Sequence, residues 1–144
     1  MELKLTRYPA PILKQRLRAV ETEEDWAIVR EAIEPMLDIM KKNGGIGLAA
    51  NQAGLGLRFF VTNLLGDFRV CVNPDFSATD GKRFIHTEGC LSLPVAQYKI
   101  SRLPKGDFYF LDENGVDGTM EVKDLKAAMV QHEIDHLNGR LIKR

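Results

Sequence analysis

Apolar residues along the chain gather into two helical stretches that bracket a run of short alternating segments. In the first stretch Trp26, Val29, Ile33, Met36 and Met40 recur every three or four positions, the spacing that aligns side chains on one helix face. Thr22, with Asp25 three positions on, predicts the start through a capping box, and Asn43-Gly44-Gly45 predicts the stop. Pro35 falls inside and predicts a kink or a split. Before it, Tyr8-Pro9-Ala10-Pro11-Ile12-Leu13 reads as extended or turned chain, because each proline pushes its predecessor away from helix. Between the helices, strands are expected at residues 57–62, 69–72, 82–87, 97–102, 107–111 and 119–122. Turns near Gly66-Asp67 and at Asp112-Glu113-Asn114-Gly115 predict hairpins. An early helix, many short antiparallel strands and a late helix make an α+β class.

The second helix is expected over residues 125–138, with Asp124 as N-cap and Gly139 as C-cap. Leu125, Met129, His132 and His136 form one stripe; Val130, Ile134 and Leu137 form another, leaving mainly Lys126 and Asp135 for a polar side. A helix apolar around most of its circumference is buried. Histidines on a buried helix must be hydrogen-bonded or bind a metal. His132 and His136, four apart, stand one turn above each other and can reach one ion, while Glu133 can reach a water activated by it. Spacing alone leaves a helix with two packed histidines equally open.

The 144 residues fit one domain, residues 1–144, and 44% hydrophobic with 28% charged is ordinary for a globular protein. Twenty basic residues balance twenty acidic ones, so no overall field recruits nucleic acid or membrane. Arg140, Lys143 and Arg144 read as a solvated tail. No apolar run has membrane-spanning length, the first residues lack a secretion-signal core, and two cysteines make no disulfide framework. A cytoplasmic protein with reduced thiols is expected. Cys71, between Val70 and Val72, reads as a packing residue.

Cys90 sits in Glu88-Gly89-Cys90-Leu91-Ser92-Leu93-Pro94, where Gly89 allows close backbone approach and Pro94 ends the segment. A lone cysteine can be a small hydrophobe or a nucleophile awaiting a base. With the two histidines downstream it can also be the thiolate of a Cys-His-His set, whose three ligands plus water are a catalytic arrangement. The stretch Gly45-Ile46-Gly47-Leu48-Ala49-Ala50-Asn51-Gln52 is no phosphate cradle, since no Gly-Lys-Ser/Thr follows. Taken alone it reads as a tight turn.

Together and in this order, Gly45–Gln52, Glu88–Ser92 and Gln131-His132-Glu133-Ile134-Asp135-His136 resemble the three signature motifs of the peptide deformylase family. The resemblance implies antiparallel sheets around a central metal-bearing helix. It implies hydrolysis of the formyl group from N-formylmethionyl peptides, with Fe²⁺ typical and Zn²⁺, Ni²⁺ or Co²⁺ as alternatives. By position, Cys90, His132 and His136 would hold the metal and Glu133 would be general base and then acid. Gln52 and the Leu91 backbone N–H would stabilise the oxyanion. Ile46, Gly47 and Gly89 would pair with the substrate backbone, and Ile46, Leu125, Met129 and the flank of His132 would line the methionine pocket. Glu88, Gln131 and Asp135 are expected to support the site, with Arg102 pairing with one of the two carboxylates.

Three departures from the family pattern stand out: Pro35 inside a helix normally continuous, His86 where an aliphatic residue is usual near the pocket, and an end at Arg144 where many relatives add a helix for docking on the ribosome. The chain is accordingly expected either to reach its substrates differently or to dock on the ribosome transiently and more weakly. Three rival readings share the residues. An endopeptidase would need a long cleft, a blue-copper site would need no neighbouring carboxylate and would be coloured, and an inactive peptide-binding relative would not need Glu133, Gln52 and Cys90 together.

Overall fold

The computed structural model describes residues 1–93 and 97–142, so Pro94, Lys143 and Arg144 lie outside the described residues. Among the described residues two α-helices and seven strands follow in the order α1 (Glu23–Lys42), β1 (Gly47–Ala49), β2 (Phe59–Thr62), β3 (Arg69–Asp80), β4 (Phe84–Gly89), β5 (Gln97–Arg102), β6 (Lys105–Leu111), β7 (Asp117–Lys123) and α2 (Leu125–Leu137). The class is α+β. Five strands form an antiparallel sheet in the order β1-β2-β3-β6-β7, and β4 and β5 form a separate antiparallel pair. The core gathers Val29, Met36 and Met40 of α1, Phe59 and Phe60 of β2, Phe108 of β6, and Ala127, Val130 and Leu137 of α2. No helix among the described residues is long and apolar enough to cross a membrane.

The capping box at α1 forms as expected: the Thr22 hydroxyl accepts from the Asp25 N–H, and the Asp25 carboxylate accepts from the Thr22 and Glu21 N–H groups. Asp25 also receives a two-pronged contact from Arg18. Pro35 does not split the helix, which runs unbroken from Glu23 to Lys42. One missing N–H removes a single backbone bond, to the carbonyl of exposed Glu31, while Ala32, Met36, Ile39 and Met40 bury the helix on both sides of the proline.

Elsewhere tertiary structure extends the local signals. Pro11–Lys14 closes a 3-10 turn, the turned form of the expected segment, where a proline at the first position is tolerated. β3 continues past Val72 to Asp80 because a bulge absorbs Asn73-Pro74. Asn73 takes φ 49°, and its side chain bonds both the N–H and the C=O of Val20. Cys71 is fully buried, and burial pushes its thiol well up, as suits a packing residue.

Helix α2 begins directly after β7, with Asp124 alone making the reversal at φ 55°. Its backbone does the joining, donating to Pro104 and accepting from Ala128; the carboxylate makes no cap, contrary to expectation. The other end matches its expectation more closely. Asn138 is the C-cap, and Gly139 follows at φ 75° with bonds from Gly139 to His136 and from Arg140 to Asp135. Ala127, Ala128, Met129, Val130, Glu133, His136 and Leu137 are buried, so the helix runs through the interior with only its first turn open at Leu125.

Candidate active site

Three element ends converge on the middle of α2. The turn after β1 (Ala50–Ala53) carries Gln52, the end of β4 delivers Cys90 and Leu91, and α2 contributes His132, Glu133 and His136. Cys90 Sγ stands 3.3 Å from His136 Nε2, which stands 3.1 Å from His132 Nε2. The three donor atoms lie within 4.8 Å of one another. A tetrahedral ion with bonds of about 2.0–2.3 Å separates its donors by about 3.3–3.6 Å, so the spacing fits one shared ion with little movement.

His132 is held from behind, whereas His136 Nδ1 is buried with no hydrogen-bond partner among the described residues. His132 Nδ1 donates to Glu88 Oε1 at 2.8 Å, and Nε2 faces the cluster. Arg102 grips Glu88 through Nε at 2.8 Å and Nη2 at 2.6 Å and reaches Asp135 through Nη1 at 2.6 Å. It therefore pairs with both carboxylates, because β5 places the guanidinium between β4 and α2. Gln131 bonds the N–H and C=O of Leu103, and Asn51 donates to the His136 carbonyl at 2.8 Å. Ser92 is a partner that the motifs contain but sequence did not single out: it accepts from Gln52 Nε2 at 3.1 Å, with Cys90 Sγ 3.5 Å away. Gln52 Oε1 accepts from the Ala49 N–H, which fixes the amide orientation.

The electrostatics favour positive charge at His132 and oppose it at His136. Burial opposes protonation of His132, yet hydrogen bonds with Cys90 and Glu88 push it up to about 10. Burial likewise opposes the charge on Glu88, but Arg102 and His132 hold its carboxyl down at about 2. His136 is kept neutral by burial and by His132. Glu133 is buried and pushed up to about 7, mainly by desolvation. Its Oε1 has no hydrogen-bond partner among the described residues, a costly arrangement outside a reacting site.

Because Glu88 titrates below its ordinary 4.5, at about 2, its ionised form stabilises the fold above pH 4.5, and that contribution disappears as pH falls toward 2. Thermal melts from about pH 6 to pH 3 with chelator present should show this loss, and Glu88→Gln should flatten it. An unchanged slope in the variant would remove Glu88 from the acid response.

A cavity of about 560 Å³ opens over the cluster. Ile46, Gly47, Gln52, Gly89, Cys90, Leu91, Leu125, Met129, His132 and Glu133 all line it, so the residues singled out from sequence come together, with His136 behind them. Ile46 and Leu125 are exposed at 44% and 47%, placing them at the rim, whereas Met129 is buried. Gly47 is constrained: a Cβ there would come within 2.6 Å of Glu133 Oε2. Gly47→Ala should displace the Glu133 carboxylate and lower kcat about tenfold or more, with metal content unchanged. Wild-type kcat in that variant would show that the carboxylate yields freely.

The chain matches the family described as polypeptide deformylase over residues 2–144. It is 36% identical over 141 residues to a peptide deformylase of Borreliella burgdorferi, covering 96% of this chain and 84% of that one. A crystal structure of peptide deformylase from Thermotoga maritima superposes with a TM-score of 0.91 at 30% identity, covering 99% and 95% of the two chains. One from Synechococcus elongatus in complex with actinonin gives 0.88 at 34% identity, covering 97% and 76%.

Proposed function

The chain belongs to the polypeptide deformylase family, and on that premise we propose how its own residues remove the N-formyl group from nascent peptides. The family's reaction is a metal-dependent hydrolysis: the bond between formyl carbon and methionine nitrogen breaks, and water supplies the oxygen of formate and the proton of the freed amine. Cys90, His132 and His136 would hold one divalent ion, Fe²⁺ in the cell, with Zn²⁺, Ni²⁺ or Co²⁺ able to replace it. Bound there, the ion supplies Lewis acidity and makes a water nucleophilic near neutral pH.

Glu133 takes a proton from the attacking water and returns it to the departing amine; a carboxyl pushed up to about 7 suits both roles. Gln52 Nε2 and the Leu91 N–H donate to the oxyanion. Among the described residues β1 is an edge strand and β4 pairs with β5 alone, so Gly47, Gly89 and the N–H of Ile46, whose carbonyl is taken by Asn63 and Thr62, offer backbone to a peptide lying in the cavity as an added strand. Leu125, Met129, Ile46 and the flank of His132 take the methionine side chain. Residues 1–144 act as one catalytic domain in the cytoplasm, meeting nascent chains during transient contact with the ribosome.

The convergence of one sulfur and two ring nitrogens beside a buried carboxylate whose Oε1 has no partner among the described residues carries this reading. Metal-loaded protein should release formate from formyl-methionyl peptides and leave internal peptide bonds intact. Internal cleavage without formate would make the site an endopeptidase instead.

A further inference from the structure

His86 lines the same cavity and has no part in the chemistry above. Strand period two sets Phe84, His86 and Glu88 on one face of β4, while Ile85, Thr87 and Gly89 are exposed. His86 Nδ1 lies 3.1 Å from Glu88 Oε2, and the Phe84 ring meets the imidazole edge-on with centroids 5.9 Å apart. Glu88 Oε1 receives His132 Nδ1 and Arg102 Nη2, and Oε2 receives Arg102 Nε and His86 Nδ1. A carboxylate offers about four acceptor positions, so His86 completes the set. Gripped twice by a guanidinium, the carboxylate only accepts; Nδ1 of His86 therefore carries the hydrogen. Glu88 is buried, so removing one donor leaves a lone pair of Oε2 unpaired and loosens the hold on that oxygen, with Arg102 and His132 still in place.

The His86 side chain is 24% exposed, so it touches the cavity while holding the carboxylate that supports a metal ligand. We propose that His86 is a positioning residue for deformylation: from the cavity side it fixes the Glu88 carboxylate, and through it the ring orientation and tautomer of His132. This rests on Cys90, His132 and His136 binding the ion.

The test compares wild type, His86→Leu and His86→Asn by chelator competition for bound Zn²⁺, by kcat and KM for formate release, and by thermal midpoint of the metal-free protein. Leucine keeps bulk and loses the hydrogen bond, whereas asparagine places an N–H at the same branch position as Nδ1. In His86→Leu, Zn²⁺ affinity should fall about tenfold, the lower end for residues that support metal ligands, with kcat falling alongside and KM moving less. His86→Asn should restore most of both. A His86→Leu protein that keeps its Zn²⁺ affinity while only KM or the metal-free midpoint shifts overturns the proposal, as does an asparagine variant that restores nothing. If wild type binds no Zn²⁺, the metal-site reading itself falls; if wild type binds and the variants match it, only the role of His86 falls.

Discussion

Glu133→Ala is expected to cut formate release by about 10²–10⁴-fold while leaving the bound metal in place. The carboxylate is one residue along from His132 but is outside the Cys90, His132, His136 cluster, so its removal costs no ligand. It is buried, one oxygen finds no partner among the described residues and the other is walled in by Gly47. Desolvation pushes it up to about 7, where it can both accept and return a proton at neutral pH. An unpaired buried carboxyl is a stability cost, so the variant should melt no lower than wild type, the pattern expected of a group retained for chemistry. Undiminished formate release at equal metal content would take Glu133 out of the reaction.

Arg102→Leu is expected to lower stability by about 3–5 kcal/mol, because it strips a buried carboxylate of its countercharge. For a chain of this size that is about 10 °C or more in melting temperature. Arg102 is 4% exposed and spans Glu88 on β4 and Asp135 on α2, so leucine leaves Glu88 with only histidine partners. Freed from that grip, Glu88 orients His132 less tightly, and metal should be lost faster to chelator than from wild type. A variant that melts at the wild-type temperature and retains metal equally would show the bridge to be inert.

The site is more legible in sequence than the scaffold, for physical reasons that differ from residue to residue. His132, Glu133 and His136 are readable because helix geometry converts a four-residue spacing into one face. Cys90 and Gln52 carry no such local rule; they become legible through the three motifs taken together. Arg102 was expected to choose one carboxylate, but its fork has enough donors for both, a fact visible only once β5 sits between β4 and α2. Pro35 does not split its helix because a local rule counts one backbone bond while buried neighbours on both sides hold the turns together, and Asp124 makes no cap because it takes φ 55° instead of the extended backbone of an N-cap. Ser92, like the hydrogen bond from His86 to Glu88, emerges only from contacts between elements.

X-ray absorption at the metal edge of the loaded protein tests the central claim most directly. One ion per chain with a single sulfur at about 2.3 Å and nitrogens at about 2.0–2.1 Å is the expected first shell, with the sulfur gone in Cys90→Ala. A stoichiometric ion surrounded only by nitrogen and oxygen in the wild-type protein would contradict it.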